Sequence, residues 1–295
     1  MSERLECPLC GSDSVPAFAV NDRNRELSSV IFHYRRCGGC STLFLQDVPD
    51  DLDRYYPQDY YQLPSVAELD RAACGEASKI ALLSAHAPRG RLVDVGAAYG
   101  VFARAAKLAG YQVTAIEMDS RCCDYLRGTV GVEAIQSIEP ERALAQLDCA
   151  DAIVLWHVLE HLARPAELLG AAAQLLREGG VLALAMPNPD ALQSRLLRER
   201  WAHVDAPRHL ALIPFPALAA KADELGFEVP CVTTSDPAGR HWNAFGWEYA
   251  LRRRPARRRA TLLTRAAGEA LALALAPLER RGMNGAAYTA VLVKR

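Results

Sequence analysis

The 295-residue chain has no long uncharged apolar run, no surplus of charge of either sign and very little lysine. The first absence excludes a membrane-crossing helix of about twenty consecutive apolar residues. The second, a formal charge of −1, excludes long-range steering of the whole protein toward polyanions. Arginine carries nearly all the positive charge, and alanine is abundant. That pairing reads as GC-rich coding bias before it reads as nucleic-acid binding. Residues 1–10 are polar and cysteine-bearing, without the apolar segment of a secretory leader, so a cytoplasmic location is expected. With 51% of residues apolar, the chain can bury a sizeable core, and its length suits one large domain with a small one.

Of the nine cysteines, four fall into two Cys-x-x-Cys pairs, Cys7 with Cys10 and Cys37 with Cys40. Each pair makes a tight turn presenting two sulfurs, and two such turns describe a four-thiolate tetrahedral zinc site. The flanks read as strands at residues 18–20, 30–34 and 42–45. The spacer of 26 residues is long for a ribbon, and the loop at 21–25 takes up the excess. So small a segment buries little, so metal would supply its folding free energy, on the order of 10 kcal/mol. A closed site of four thiolates leaves no open position, which makes this zinc structural.

The chain is organised around R-L-V-D-V-G-A-A-Y-G at residues 91–100. Leu92, Val93 and Val95 give a buried parallel strand, Gly96 the bend, and residues 101–110 a helix ending on a glycine. Bare backbone in the bend lets a ligand approach, and free N–H groups at the helix start are expected to face it. About twenty residues on, residues 113–116 form a second strand ending at Glu117, whose carboxylate can accept both ribose hydroxyls of a nucleoside. A dinucleotide fingerprint would read G-x-G-x-x-G. Here it reads D-x-G-x-x-x-G, and Asp94 would repel a pyrophosphate but suits a zwitterionic amino-acid tail.

This pattern resembles the class I S-adenosylmethionine (SAM) methyltransferases. The likeness continues at residues 151–162 (D-A-I-V-L-W-H-V-L-E-H-L), at 179–189 and 201–210, and in the N-terminal cysteines, up to about residue 235. It implies an α/β fold: a doubly wound, mostly parallel Rossmann-like sheet of seven strands behind a small zinc ribbon, with an antiparallel edge made by residues 228–233 and 287–293. The units expected are the ribbon (1–50), a tyrosine-rich linker or lid (51–75), the SAM-binding core (76–235), and a basic and apolar helical insertion with the last strand (236–295). The crevice implied for SAM comprises Asp94, Gly96, Ala97, Gly100, Phe102, Glu117, Met118, Trp156 and His157. Within it Asp94, Gly96 and Gly100 hold the methionine portion, Glu117 the ribose, and Met118 lies beside the adenine. Between the second and third strands Ser120 is expected to cap a helix over residues 120–127.

Methyl transfer from a sulfonium needs alignment above all, and a base only where the acceptor must lose a proton. The candidates are His161, His157 and His209. His157, Glu160 and His161 share one face if a helical turn follows the fourth strand, with Glu160 orienting a histidine. Residues 201–210 (W-A-H-V-D-A-P-R-H-L) form a polar loop that either roofs the acceptor or holds itself together against the turn at 186–189. Tyr55, Tyr56, Tyr60 and Tyr61 either cover the crevice or pin the linker to the core. Residues 252–259 (R-R-R-P-A-R-R-R) and the apolar helix after them, to 278, suit a solvated run before a packed helix, or contact with a membrane surface. The function expected is methyl transfer to a small-molecule acceptor: a sugar, a lipid-linked saccharide or a secondary metabolite. An RNA methyltransferase and a non-catalytic zinc-ribbon SAM-binding module are the alternatives. The neutral charge and the lack of basic–aromatic interleaving in residues 1–50 argue against nucleic acid.

Overall fold

A computed structural model of the chain describes residues 5–57, 60–252 and 261–295. Its strands are β1 (Ser14–Asn21), β2 (Ile31–Cys37), β3 (Leu43–Leu45), β4 (Arg91–Val95), β5 (Gln112–Glu117), β6 (Glu133–Gln136), β7 (Ala150–Trp156), β8 (Leu176–Pro187), β9 (Ala211–Leu212), β10 (Phe227–Thr233) and β11 (Ala287–Lys294). Its α-helices are α1 (Val66–Cys74), α2 (Ala77–Ser84), α3 (Val101–Leu108), α4 (Ser120–Tyr125), α5 (Pro140–Leu144), α6 (Pro165–Leu175), α7 (Leu192–Leu197), α8 (Phe215–Glu224), α9 (Pro237–Leu251) and α10 (Leu262–Glu279).

Seven strands form one sheet in the order β10-β11-β8-β7-β4-β5-β6. The five from β8 to β6 run parallel, and β11 enters antiparallel between β8 and β10. Strands covered on both faces have no use for alternation, and β4 and β7 accordingly read as near-continuous apolar runs. Leu92, Val93 and Val95 are all buried, as are Ile153, Val154 and Leu155. The strand order reverses between β4 and β7, so the crevice outside their carboxyl ends is where ligands collect in sheets of this kind.

The cysteine-bearing segment forms a second sheet, β1-β2-β3-β9. Its fourth strand comes from far along the chain: Leu43 pairs with Leu212 and Phe44 with Ala211. Cys7, Leu9, Cys37 and Phe44 belong to the same apolar core as Val95, Leu155 and Leu184. The N-terminal segment is thus fused to the large sheet through packing and through the strand that follows the 201–210 loop.

One sequence expectation is corrected locally, and the surface against which the last helix packs is identified. The cap of α4 is Asp119, whose carboxylate accepts from the Arg121 and Cys122 amides; Ser120 is the first helical residue. The apolar helix α10 packs on α9, where Gly268 lets it lie against Glu248 (an added Cβ would come within 2.7 Å of its Cα). Yet Leu262, Leu263 and Leu273 stay exposed, so the helix is not buried all round. Residues 253–260, most of the arginine run, lie outside the described residues. Among the described residues no helix is long and apolar enough to cross a membrane.

Candidate functional site

The bend after β4 is built for close approach. Gly96 has φ +69°, and a Cβ there would sit 2.5 Å from Val158 Cγ2. Gly100 has φ +85° and leads into α3, where a Cβ would meet Leu126 Cδ2 at 2.6 Å. Ala98 takes the left-handed conformation without being glycine, at φ +49°. The strain is held by a hydrogen bond: the Ala98 N–H donates to Glu117 Oε2 at 2.8 Å. Within the bend itself the backbone donors are used internally. Gly96 N–H donates to the Ile116 carbonyl at 2.8 Å and Gly100 N–H to that of Ala97 at 2.8 Å.

Glu117 is buried, 3% exposed. Its Oε1 accepts from the Met118 and Asp119 amides at 2.8 and 3.0 Å. With the Ala98 bond, three of roughly four acceptor positions on the carboxylate are used. Burial raises this carboxyl, and the three amides pull it back. Asp94, one strand over and 2% exposed, has no such support on Oδ2, which is unpartnered. Burial lifts its pKa to about 8, against the pull of the Lys79 ammonium. Ala97 is buried beside the bend, and Phe102 is tilted against Trp156 at 5.3 Å. Lys79 Nζ lies 4.9 Å over the Trp156 ring. Met118 is 45% exposed at the outer rim.

The tyrosine segment is tied both to the N-terminal sheet and to the bend after β4. Tyr55 is buried edge-on against Phe32 of the N-terminal sheet at 5.9 Å. Tyr56, Tyr60, Tyr61 and Tyr99 then form a chain of ring contacts 4.9 to 6.3 Å apart. Burial and then the Glu117 charge push the Tyr61 phenol above its ordinary range. Arg25, from the loop between β1 and β2, stacks 4.4 Å over Tyr60.

At the carboxyl end of β7 the chain turns through His157, at φ +58°, into a 3-10 turn over Leu159–His161. His157 Nδ1 meets Glu160 Oε1 at 3.3 Å, and His157 Nε2 accepts from the indole N–H of Trp242, on α9, at 2.9 Å. Both ring nitrogens are therefore committed: Nδ1 carries the proton and the ring is neutral. Burial lowers its pKa to about 4. The structure thus pairs Glu160 with His157 and makes His157 a poor proton acceptor as it stands. His161 Nδ1 lies 2.9 Å from the Arg208 carbonyl and 3.1 Å from the Tyr56 hydroxyl. His209 Nδ1 lies 2.7 Å from the His203 carbonyl. A carbonyl only accepts, so both Nδ1 atoms are protonated and both Nε2 atoms carry bare lone pairs. The two rings are 4.7 Å apart. Burial, then each other's charge, hold His161 down to about 4, and burial lowers His209 too.

The loop at 201–210 is held by the N-terminal segment. The Arg208 side chain, 0% exposed, pairs with Asp22 at 2.9 Å and Asp205 at 2.6 Å. Burial works to raise Asp205, but the Arg208 hydrogen bonds and nearby positive charge bring it down to about 2. Asn24 donates to the Ala202 carbonyl at 2.9 Å, and Tyr34 donates to that of His209 at 2.7 Å. The turn after β8 is tied elsewhere, with Asn188 donating to Met283 and Gly285 carbonyls at 2.8 and 2.9 Å. Sequence reasoning missed Trp242, which lies 85 residues from His157 on a segment without a motif. It also missed Asp22 and Asn24, whose only signal is a polar N-D-R-N-R loop.

The four cysteines of the N-terminal segment come together. Cys7 and Cys40 sulfurs are 3.7 Å apart and Cys10 and Cys37 sulfurs 3.4 Å, far beyond a disulfide bond. All four lie within 4.8 Å of one another. Tetrahedral bonds of about 2.3 Å to one ion put sulfurs roughly 3.8 Å apart, so the set suits such an ion. Amides of Leu9, Gly39 and Cys40 donate to the Cys7 and Cys37 sulfurs at 3.3 to 3.5 Å, a setting for thiolates.

Comparison with known proteins agrees with this geometry. Ubiquinone biosynthesis O-methyltransferase of Xanthomonas campestris pv. campestris (strain B100) is 34% identical over 107 residues, which are 34% of this chain and 44% of that protein. Its counterpart in Xanthomonas oryzae pv. oryzae (strain PXO99A) is 33% identical over 104 residues, 33% of this chain and 43% of that one. The chain spans less than half the length of these curated relatives. Among solved structures, a SAM-dependent methyltransferase from Archaeoglobus fulgidus covers 77% of this chain and 94% of its own, at 16% identity and TM-score 0.52. The cyclopropane synthase MmaA2 from Mycobacterium tuberculosis covers 74% and 84%, at 16% identity and TM-score 0.51. These likenesses are of fold. Residues 67–232, more than half of the chain, match the family model described as a methyltransferase domain, and the chain belongs to that family of SAM-dependent methyltransferases.

Proposed function

We propose that the chain transfers a methyl group from SAM to a hydroxyl of a small-molecule acceptor. When bound, SAM supplies an activated methyl on a sulfonium, so the protein's task is chiefly alignment. Asp94 accepts the ammonium of the methionine portion, and the bare bend from Gly96 to Gly100 admits it. Glu117 takes the ribose, with one acceptor position free and the Ala98 bond available for exchange. Phe102 and Trp156 wall the crevice, Met118 lies beside the adenine, and Tyr61 closes over it. Zinc on Cys7, Cys10, Cys37 and Cys40 holds the N-terminal sheet and, through it, the 201–210 loop.

The single observation that carries the acceptor reading is the meeting of His161, His209 and Glu160 at the end of β7, with an unpartnered oxygen on Glu160 and Nδ1–carbonyl bonds that leave both Nε2 atoms without a proton. Those lone pairs are where an acceptor's hydroxyl can be met. The hydroxyl acceptor is supported by the O-methyltransferases among the relatives. The aromatic wall of Tyr56, His203, Trp242 and Phe245 suits a ring-bearing acceptor. Calorimetry with S-adenosylhomocysteine tests the cofactor half, and a mass gain of one methylene on a panel of phenols and saccharides tests the acceptor half. Binding absent in the wild type, or binding unchanged in Glu117→Ala and Asp94→Asn, overturns the reading.

A further inference from the structure

We propose that Glu160, His161 and His209 form a second metal site, distinct from the four cysteines, which takes a divalent first-row cation such as zinc and leaves it an open coordination position.

One ligand atom from each of the three residues lies within 4.8 Å of the others. Ligand atoms on a tetrahedral ion with bonds near 2.05 Å lie roughly 3.3 Å apart. Each pair therefore needs to close by at most about 1.5 Å, within the reach of a carboxylate torsion and two ring torsions. The donor set is two imidazoles and one carboxylate, the set of three-ligand sites that keep a fourth position for water or substrate.

What separates this cluster from an ordinary buried polar group is its second layer. His161 donates its Nδ1 proton to the Arg208 carbonyl at 2.9 Å, and His209 donates its own to the His203 carbonyl at 2.7 Å. A metal-binding histidine is oriented in this way, with the far nitrogen protonated and bonded and the near one bare. The two carbonyls belong to one loop, and that loop is fixed by the fully buried Arg208–Asp22 pair. The carboxylate is also committed on one side only. Glu160 Oε1 takes His157, while Oε2 is buried with no partner. A buried, unpartnered carboxylate oxygen is costly unless something positive meets it. Among the described residues no arginine or lysine pairs with Glu160: Arg208 pairs with Asp22 and Asp205 through Nε and Nη2, its Nη1 being buried without a partner, and Lys79 pairs with Glu76. A cation between Glu160 Oε2 and the two bare nitrogens would meet all three at once, with the Asp205 carboxylate 4.0 Å from His209 Nε2 as further negative charge beside it.

The chemical consequence, which rests on the hydroxyl-acceptor reading above, is that an acceptor oxygen bound at the open position would lose its proton more easily, as metal-bound water does. His161 and His209 would then be ligands and not bases. The site itself does not depend on that reading.

The test is the zinc content of the full chain, without SAM. The protein is dialysed against buffered free zinc and measured by inductively coupled plasma mass spectrometry. Two zinc ions per chain are expected in the wild type, and one in Glu160→Gln and in His209→Ala. Glu160→Gln preserves shape, so far-UV circular dichroism and S-adenosylhomocysteine affinity should match the wild type. One zinc per chain in the wild type, or two retained in a folded Glu160→Gln, overturns the proposal. Undiminished methyl transfer by Glu160→Gln holding a single zinc would overturn the metal's part in the chemistry and leave both the site and the transferase reading standing.

Discussion

Asp94 offers the sharpest quantitative test, because its carboxyl is buried with one oxygen unpartnered. Its pKa is lifted from 3.8 to about 8 by burial. The native state therefore holds a proton that the unfolded chain releases above pH 4. The sign follows: this group's contribution is fully present below the unfolded value and is lost as pH rises through the folded one. Between those limits stability falls by up to about 1.4 kcal/mol per pH unit from this residue alone. From pH 5 to pH 8 the loss reaches up to about 4 kcal/mol. Asp94→Asn keeps the shape and removes the titration. Urea unfolding at pH 5, 7 and 8.5 should show the variant gaining on the wild type as pH rises. Equal slopes in the two proteins would refute the reasoning. Ligand binding gives the same test from the other side. If the ammonium of SAM meets Asp94, its carboxyl ionises on binding. At pH 7 a group with pKa near 8 is about nine-tenths protonated, so close to 0.9 proton is released per SAM bound. Calorimetry in two buffers of different ionisation enthalpy measures that number directly. No release would mean that Asp94 and the ammonium do not meet.

Three further substitutions probe the supports of the site. Asp22→Asn leaves the fully buried Arg208 with one carboxylate in place of two; a loss of about 3 kcal/mol is expected by urea unfolding, and an unchanged midpoint would mean the pair holds nothing. Gly96→Ala forces a Cβ to 2.5 Å from Val158 at a left-handed position; it should cost about 1–3 kcal/mol of stability, with S-adenosylhomocysteine affinity down at least tenfold by calorimetry. Trp242→Phe removes the N–H that His157 Nε2 accepts; turnover should fall about five- to tenfold while S-adenosylhomocysteine affinity stays level.

What the sequence disclosed follows physical kind. Continuous apolar runs such as residues 92–95 and 152–155 announce buried parallel strands because both faces of the sheet are covered. Doubled Cys-x-x-Cys announces a shared ion because the chemistry needs those sulfurs at that spacing. The bend was legible too, but its hydrogen bonding was not. That Ala98 donates to Glu117 depends on how β4 and β5 sit side by side, which no local pattern encodes. The same holds for His157. Its position on the turn was readable, whereas its two hydrogen-bond partners come from Glu160 and from Trp242 on the distant α9. The exposed leucines of α10 show the converse. Composition demanded burial, yet a helix with only one flank against α9 leaves the rest outside.

The arrangement makes the N-terminal segment part of the site and not an appendage to it. His161 and His209, at the carboxyl end of β7, are set by carbonyls of a loop that has little regular structure of its own. Such a loop holds one shape only if something outside it does the holding. That something is one stretch between β1 and β2. Asp22 takes Arg208, Asn24 takes the Ala202 carbonyl, and Arg25 stacks on Tyr60 of the segment beside the crevice. Tyr34, on β2, adds the His209 carbonyl. The β1–β2 hairpin is the outer part of a small four-stranded sheet, and its two cysteine turns are the groups an ion would clamp. Order at the histidines therefore passes from the four sulfurs to a two-stranded hairpin, from the hairpin to a buried arginine, and from the arginine to two backbone carbonyls. This also accounts for the long spacer between the cysteine pairs: the extra residues between β1 and β2 are those that reach across and fix the loop.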